Sequence, residues 1–125
     1  LSHGPPMSDD PKPGAQDAYY AAADLARFPE IGENVPELAK KFFAWYGAVF
    51  EDGALSAREK SLIALAVSHA VQCPYCIDAY SKDALEKGAD LDQMTEAVHV
   101  ASAIRGGASL VHGVQMRNHA TKLGM

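Results

Sequence analysis

Cys73 and Cys76 are the two cysteines of the chain, and they stand as Cys-x-x-Cys in the stretch EKSLIALAVSHAVQCPYCIDAY. Such a pair can act as a dithiol redox centre, in which one thiolate attacks a peroxide or disulfide and the other resolves the resulting sulfenic acid or mixed disulfide. It can equally be half of a zinc site or two inert buried thiols. Pro74 follows the first cysteine, and proline suits the first position of a helix. Both sulfurs are therefore expected within one helical first turn. Unpaired N–H groups and the positive end of the helix dipole there favour an anion, and a thiol so placed ionises below its usual pKa of about 8.5.

Three further side chains are candidates for the same site. His69, Cys73, Cys76 and Tyr80 have helical spacing and share one stripe on an ideal helix. His69 suits proton transfer beside Cys73 at neutral pH, or else serves as a core histidine bonded to backbone. Tyr80 can donate a hydrogen bond to a thiolate or peroxide oxygen, or simply pack. Glu59 offers a carboxylate beside an apolar helix, where its pKa would rise and a proton relay becomes possible; as the fourth residue of Ser56-Ala57-Arg58-Glu59 it also reads as a helix cap. Zinc would need two ligands more, from His69, His99, His112 or His119. No second Cys-x-x-Cys and no closely spaced histidine pair supports it. No metal and no cofactor is expected.

The elements that must hold these residues read as helices. Residues 15–28 have helical spacing, and 28–35 form a loop around Pro29 and Gly32. Pro36 opens a helix with Leu38, Phe42, Trp45 and Val49 on one stripe and a stop at Gly53. Ser56 and Glu59 form a capping box at the start of a helix that is apolar nearly all round, hence buried at the centre. The chain kinks near Gln72, and Pro74 starts a new helix with Cys73 as its cap, closed by Gly88. Asp90 to Gln93 is a second capping-box pattern, followed by a helix to Arg105. Gly106-Gly107 is expected to break it, leaving a last helix over 108–123. The expectation is an all-α fold of about six helices.

Composition narrows the function. The chain has 125 residues, 48% hydrophobic but only 8% aromatic, which suits close helix packing in one small domain over residues 15–125. A polar, Pro-rich arm precedes it over residues 1–14, with 1–6 read as a cloning remnant. The formal charge of −5 leaves no basic stripe for nucleic acid, and no apolar run reaches the roughly 18 residues of a membrane span. The N-terminus lacks the pattern of a secretion signal, so the expected compartment is the cytoplasm, where a Cys-x-x-Cys is more often catalytic than a staple. Apolar faces on nearly every helix exceed what so short a chain can bury, which favours an oligomer.

Arg58-Glu59-Lys60, LIALAVSHAVQCPYC, Gly88 and Glu96-Ala97 in a capped helix together resemble the carboxymuconolactone decarboxylase and alkylhydroperoxidase D superfamily over residues 36–113. CPYCIDAY with EAVHVASAIRGGASLVHGVQM is similar to a peroxidase-like branch associated with arsenosugar biosynthesis. The resemblance implies an all-α fold assembled as a homotrimer or homohexamer. It also implies a peroxiredoxin-type oxidoreductase that reduces small hydroperoxides and is restored by a dithiol donor, a lipoyl or thioredoxin-like protein. By the same resemblance Cys76 is the peroxidatic thiol and Cys73 the resolving one. Tyr80 stands where that family carries a histidine, and the family's relay glutamate lies closer to the cysteines than Glu59 does. Two other functions are compatible with these residues. One is a non-catalytic thiol binder of a soft ligand, an arsenical or a metal ion; the other is a cofactor-free lactone decarboxylase relying on Glu59 and histidines.

Overall fold

The computed structural model describes residues 21–124. Among these the chain is helical with no strand: α1 (Ala22–Leu25), a 3₁₀ segment (Phe28–Gly32), α2 (Pro36–Val49), α3 (Ala57–Ala70), α4 (Pro74–Glu86), α5 (Leu91–Val111) and α6 (Gly113–Lys122). The all-α expectation holds. Of the helix expected over 15–28, residues 21–28 are described: α1 ends at Leu25 and the chain turns before Phe28, three residues short of the expected end, while the N-terminal arm lies outside the described residues. The expected loop after it is a 3₁₀ turn, opened by Pro29 with its fixed φ.

The chain divides into two compact units, one ending at Val49 and one beginning at Phe50. In the first, Phe28 packs edge-on to Phe43 at 5.1 Å, and Phe42 meets Phe43, Trp45 and Tyr46 at 5.2, 6.2 and 5.4 Å. The stripe of Leu38, Phe42, Trp45 and Val49 is exposed. Helix α2 stops four residues before Gly53. The segment after it is already committed to starting α3: Lys60 Nζ donates to Glu51 O at 2.7 Å, and Asp52 Oδ1 accepts the Ala57 N–H at 2.7 Å.

In the second unit, local chemistry sets each helix end. Ser56 Oγ accepts the Glu59 N–H at 3.0 Å and Glu59 Oε1 accepts the Ser56 N–H at 2.8 Å, so the expected capping box starts α3. Asp90 and Gln93 repeat it at the start of α5, at 2.8 and 3.0 Å. The ends of α3 and α4 are also a matched pair. Gly88, at φ +90°, donates to Leu85 O while Ala89 donates to Ala84 O. Gln72, at φ +58°, donates to His69 O while Cys73 donates to Ser68 O. Both are Schellman endings, with a left-handed residue just past the helix. The kink expected near Gln72 is this turn.

Two arginines tie α3 to α5. Arg58 Nη2 donates to Gln93 Oε1 at 2.7 Å, and Arg105 Nη1 donates to Ala70 O. Both bonds span the same sequence separation, so the two helices run parallel and in step over about 18 Å. Helix α4 connects them. Leu65, Ala84, Ala89 and Met94 form the core between the three, with Leu62 and Tyr80 packed against it. Ser61 and Ser68 are buried on the same face of α3 as Leu65. Their hydroxyls donate to Arg58 O and Leu65 O, so neither is left unpaired.

Two sequence expectations are corrected. Helix α3 is not buried all round: Ile63, Val67 and Val71 are 49%, 52% and 65% exposed, because the neighbouring helices cover only the Ser61–Leu65–Ser68 face. Gly106-Gly107 does not break α5, which continues to Val111 before turning at His112. Glycine in a helix costs about 1 kcal/mol against alanine without forbidding the conformation, and the bond from Arg105 to Ala70 anchors α5 directly before the pair.

Candidate active site

The two thiols are held by the start of α4. Cys73 is its N-cap, in extended backbone, and Pro74 occupies the first helical position, where a missing N–H leaves no bond unmade. The Cys73 Sγ takes the place that serine and aspartate oxygens take in α3 and α5, accepting the Cys76 N–H at 3.3 Å. Cys76, at the position where the other two helices carry Glu59 and Gln93, turns its side chain back toward the cap. The sulfurs are 2.9 Å apart, within thiol-to-thiol hydrogen-bond distance. Only the N-cap half of a capping box is present: the Cys73 N–H is spent on Ser68 O, and the Cys76 sulfur meets the Cys73 sulfur instead. Both thiols are free and partly exposed.

This geometry separates the two acidities. A hydrogen bond from the Cys76 thiol lowers the Cys73 pKa most; desolvation opposes it, and the N–H groups of Cys76 and Tyr75 lower it further. Burial pushes the Cys76 thiol up to about 11, helped by its hydrogen bond to Cys73 and by the charge that Cys73 acquires. The two shifts run in opposite directions, Cys73 down and Cys76 up.

The other candidates are placed less closely. His69 lies in the last turn of α3, and its Nδ1 is 2.8 Å from Leu65 O. A carbonyl oxygen only accepts, so Nδ1 carries the hydrogen and the neutral ring keeps its lone pair on Nε2. Among the described residues no hydrogen bond joins His69 to either sulfur. Tyr80, one turn beyond Cys76, stacks on Phe50 at 5.2 Å and packs against the core. Glu59 stands at the opposite end of α3 from the thiols, separated from them by roughly 16 Å of helix. Its carboxylate accepts from Ser56, and that backbone N–H, followed by the Ser56 side chain, lowers its pKa. A relay needs the pKa raised, so the shift runs opposite to the one expected. His99 and His112 are exposed. Among the described residues no three His, Cys, Asp or Glu side chains gather to hold a metal ion.

The sequence placed a kink near Gln72 without its backbone conformation, and gave no sign of the part played by Arg105. Gln72 adopts the left-handed conformation immediately before Cys73; Pro74, two residues on, was the available signal for a helix end there. Arg105 caps the Ala70 carbonyl at the foot of the Cys73 turn, and nothing in its local sequence marks it.

The sequence pattern of the Carboxymuconolactone decarboxylase family matches residues 36–116. The chain belongs to this family. It is 41% identical over 92 residues to an uncharacterised protein, number 4 in the cox locus of Paracoccus denitrificans, covering 74% of this chain and 80% of that one. A crystal structure of a protein from Methanobacterium thermoautotrophicum superposes with a TM-score of 0.65 at 37% identity, over 67% of this chain and 94% of the other. A carboxymuconolactone decarboxylase family protein from Legionella pneumophila, in its apo form, gives a TM-score of 0.61 at 28% identity, over 74% and 88%. Within the family match, residues 36–116, lie both thiols of this chain, at the first turn of α4.

Proposed function

We propose that the chain is a dithiol oxidoreductase of the alkylhydroperoxidase D type, which reduces a small hydroperoxide by cycling Cys73 and Cys76 between dithiol and disulfide. The observation that carries this reading is the 2.9 Å approach of the two sulfurs at the first turn of α4, one of them accepting a backbone N–H. A thiolate attacks the peroxide, the O–O bond breaks, and an alcohol leaves with a proton. The sulfenic acid then condenses with the second thiol, releasing water and closing the disulfide. The dithiol has lost two electrons and the peroxide has gained them. A dithiol donor, lipoyl or thioredoxin-like, reopens the bond by exchange. His69, in the last turn of α3 with its lone pair on Nε2, is the candidate to carry protons between the site and water. Tyr80, stacked on Phe50 and packed on the core, holds the turn of α4 that follows Cys76.

A reducing compartment, the cytoplasm expected from the sequence, suits the resting dithiol. The exposed apolar faces support assembly of copies of this chain, as a homotrimer or homohexamer. The test is peroxide consumption with a dithiol reductant, wild type against Cys76→Ser. The cycle requires multiple turnover in the wild type and its loss in the variant. Equal turnover in both sinks it.

A further inference from the structure

We infer that Cys73, not Cys76, is the thiol that attacks the substrate, and that Cys76 first gives its proton to the departing alkoxide and then resolves the Cys73 sulfenic acid. This inference rests on the dithiol cycle proposed above and reverses the order implied by resemblance. In that order a histidine four residues after the second cysteine assists it. Here that place is held by Tyr80, whose ring is stacked on Phe50 and packed on the core.

Three observations favour Cys73. Its sulfur sits at the N-cap of α4 and accepts the Cys76 N–H at 3.3 Å, so an anion there meets an amide aligned with the helix axis. Cys76 lies one turn inside the helix, and among the described residues its sulfur has a single polar partner, the sulfur of Cys73. A negative charge on Cys76 would therefore lack a backbone donor, while a neutral Cys76 can give its S–H to Cys73. The separated acidities of the two thiols agree with this division.

The steps balance. The Cys73 thiolate attacks one oxygen of a hydroperoxide ROOH; the S–O bond forms, the O–O bond breaks, and RO⁻ leaves with the proton of Cys76. The Cys76 thiolate attacks the sulfur of Cys73–SOH, forming the S–S bond and expelling hydroxide, which becomes water with a proton from solvent. The carrier of the incoming oxygen is therefore Cys73 alone.

The order can be read by trapping. Each single variant, Cys73→Ser and Cys76→Ser, is treated with one equivalent of hydrogen peroxide in the presence of dimedone, and the labelled peptide is found by mass mapping. Serine is itself a good N-cap, so Cys73→Ser keeps the start of α4. The wild type is treated in parallel with limiting iodoacetamide at neutral pH. The expected result is a dimedone adduct on Cys73 in Cys76→Ser, little or none in Cys73→Ser, and alkylation of wild-type Cys73 roughly tenfold or more ahead of Cys76, since each pKa unit separates thiolate populations tenfold. An adduct on Cys76 in Cys73→Ser, with Cys76 the faster alkylated, overturns the order while leaving the dithiol cycle standing. Absence of any adduct together with absence of a wild-type disulfide overturns both.

Discussion

At the scale of single residues, the site depends on a sulfur doing the work of a capping oxygen. Cysteine is a weak acceptor beside serine or aspartate, so Cys73 holds α4 less firmly than Ser56 and Asp90 hold their helices; what it gains is a stabilised anion. The same economy of parts appears at Gln72, whose left-handed backbone costs a non-glycine residue roughly 1 kcal/mol and turns the chain so that Cys73 ends α3 and begins α4. Gln72→Gly is expected to raise stability by about 0.5–1 kcal/mol in urea unfolding, and an unchanged or lower midpoint would remove the strain from the account. Titration has a definite sign. In the folded chain Cys76 stays protonated up to about 11, whereas unfolded it ionises near 8.5. The unfolded state therefore binds fewer protons in this interval, and stability falls as pH rises through it. Unfolding followed from pH 8 to pH 11 is expected to show this slope in the wild type and a shallower one in Cys76→Ser. The Cys-x-x-Cys motif and Pro74 made the thiols legible from sequence. Which sulfur receives the Cys76 N–H was not, because it depends on the turn at Gln72 that makes Cys73 the N-cap of α4.

At the scale of elements, α3 and α5 act as parallel struts pinned at both ends, with the thiol turn on the pinned end where Arg105 holds Ala70. Losing that bond frees a terminal carbonyl of α3 and is worth about 0.5–1.5 kcal/mol. Arg105→Met should lower stability by that amount and quicken amide exchange at Gln72 and Cys73 ahead of the rest of α3; uniform exchange along α3 would deny Arg105 a local role. Leu65 lies at the centre of the small core, 1% exposed, and Leu65→Ala is expected to cost 2–5 kcal/mol. Both capping boxes and the end at Gly88 were readable because each is a local pattern of two or three residues. The continuation of α5 through Gly106-Gly107 was not, since it is decided by a contact thirty-five residues away in sequence. Glu59 shows the same limit from the other side: its type and neighbourhood suited a relay, and only the length of α3 reveals how far it stands from sulfur.

At the scale of the whole molecule, the described chain leaves much apolar surface outside its core. Ile63 and Val67 on α3, Val71 at its C-cap, and Val100, Ile104 and Leu110 on α5 are exposed, and faces of this kind mark contact surfaces more often than bare ones. Sedimentation is expected to find an assembly of several copies rather than a 13.3 kDa monomer, and the pair Ile63→Lys with Val67→Lys to shift it toward monomer. A wild-type monomer would assign those faces to something other than copies of this chain. The excess of apolar residues was visible in the sequence, while which faces stay uncovered was not, because α3 looked apolar on every side.

The central claim is that Cys73 and Cys76 form a reversible redox pair. The most direct test adds one equivalent of hydroperoxide to the reduced chain and reads its intact mass, with and without denaturing alkylation. The expected result is a loss of two hydrogens, complete protection of both cysteines from alkylation, and full recovery of both on treatment with a dithiol. An unchanged mass with both thiols still alkylated, or oxygen added irreversibly without a disulfide, would contradict it.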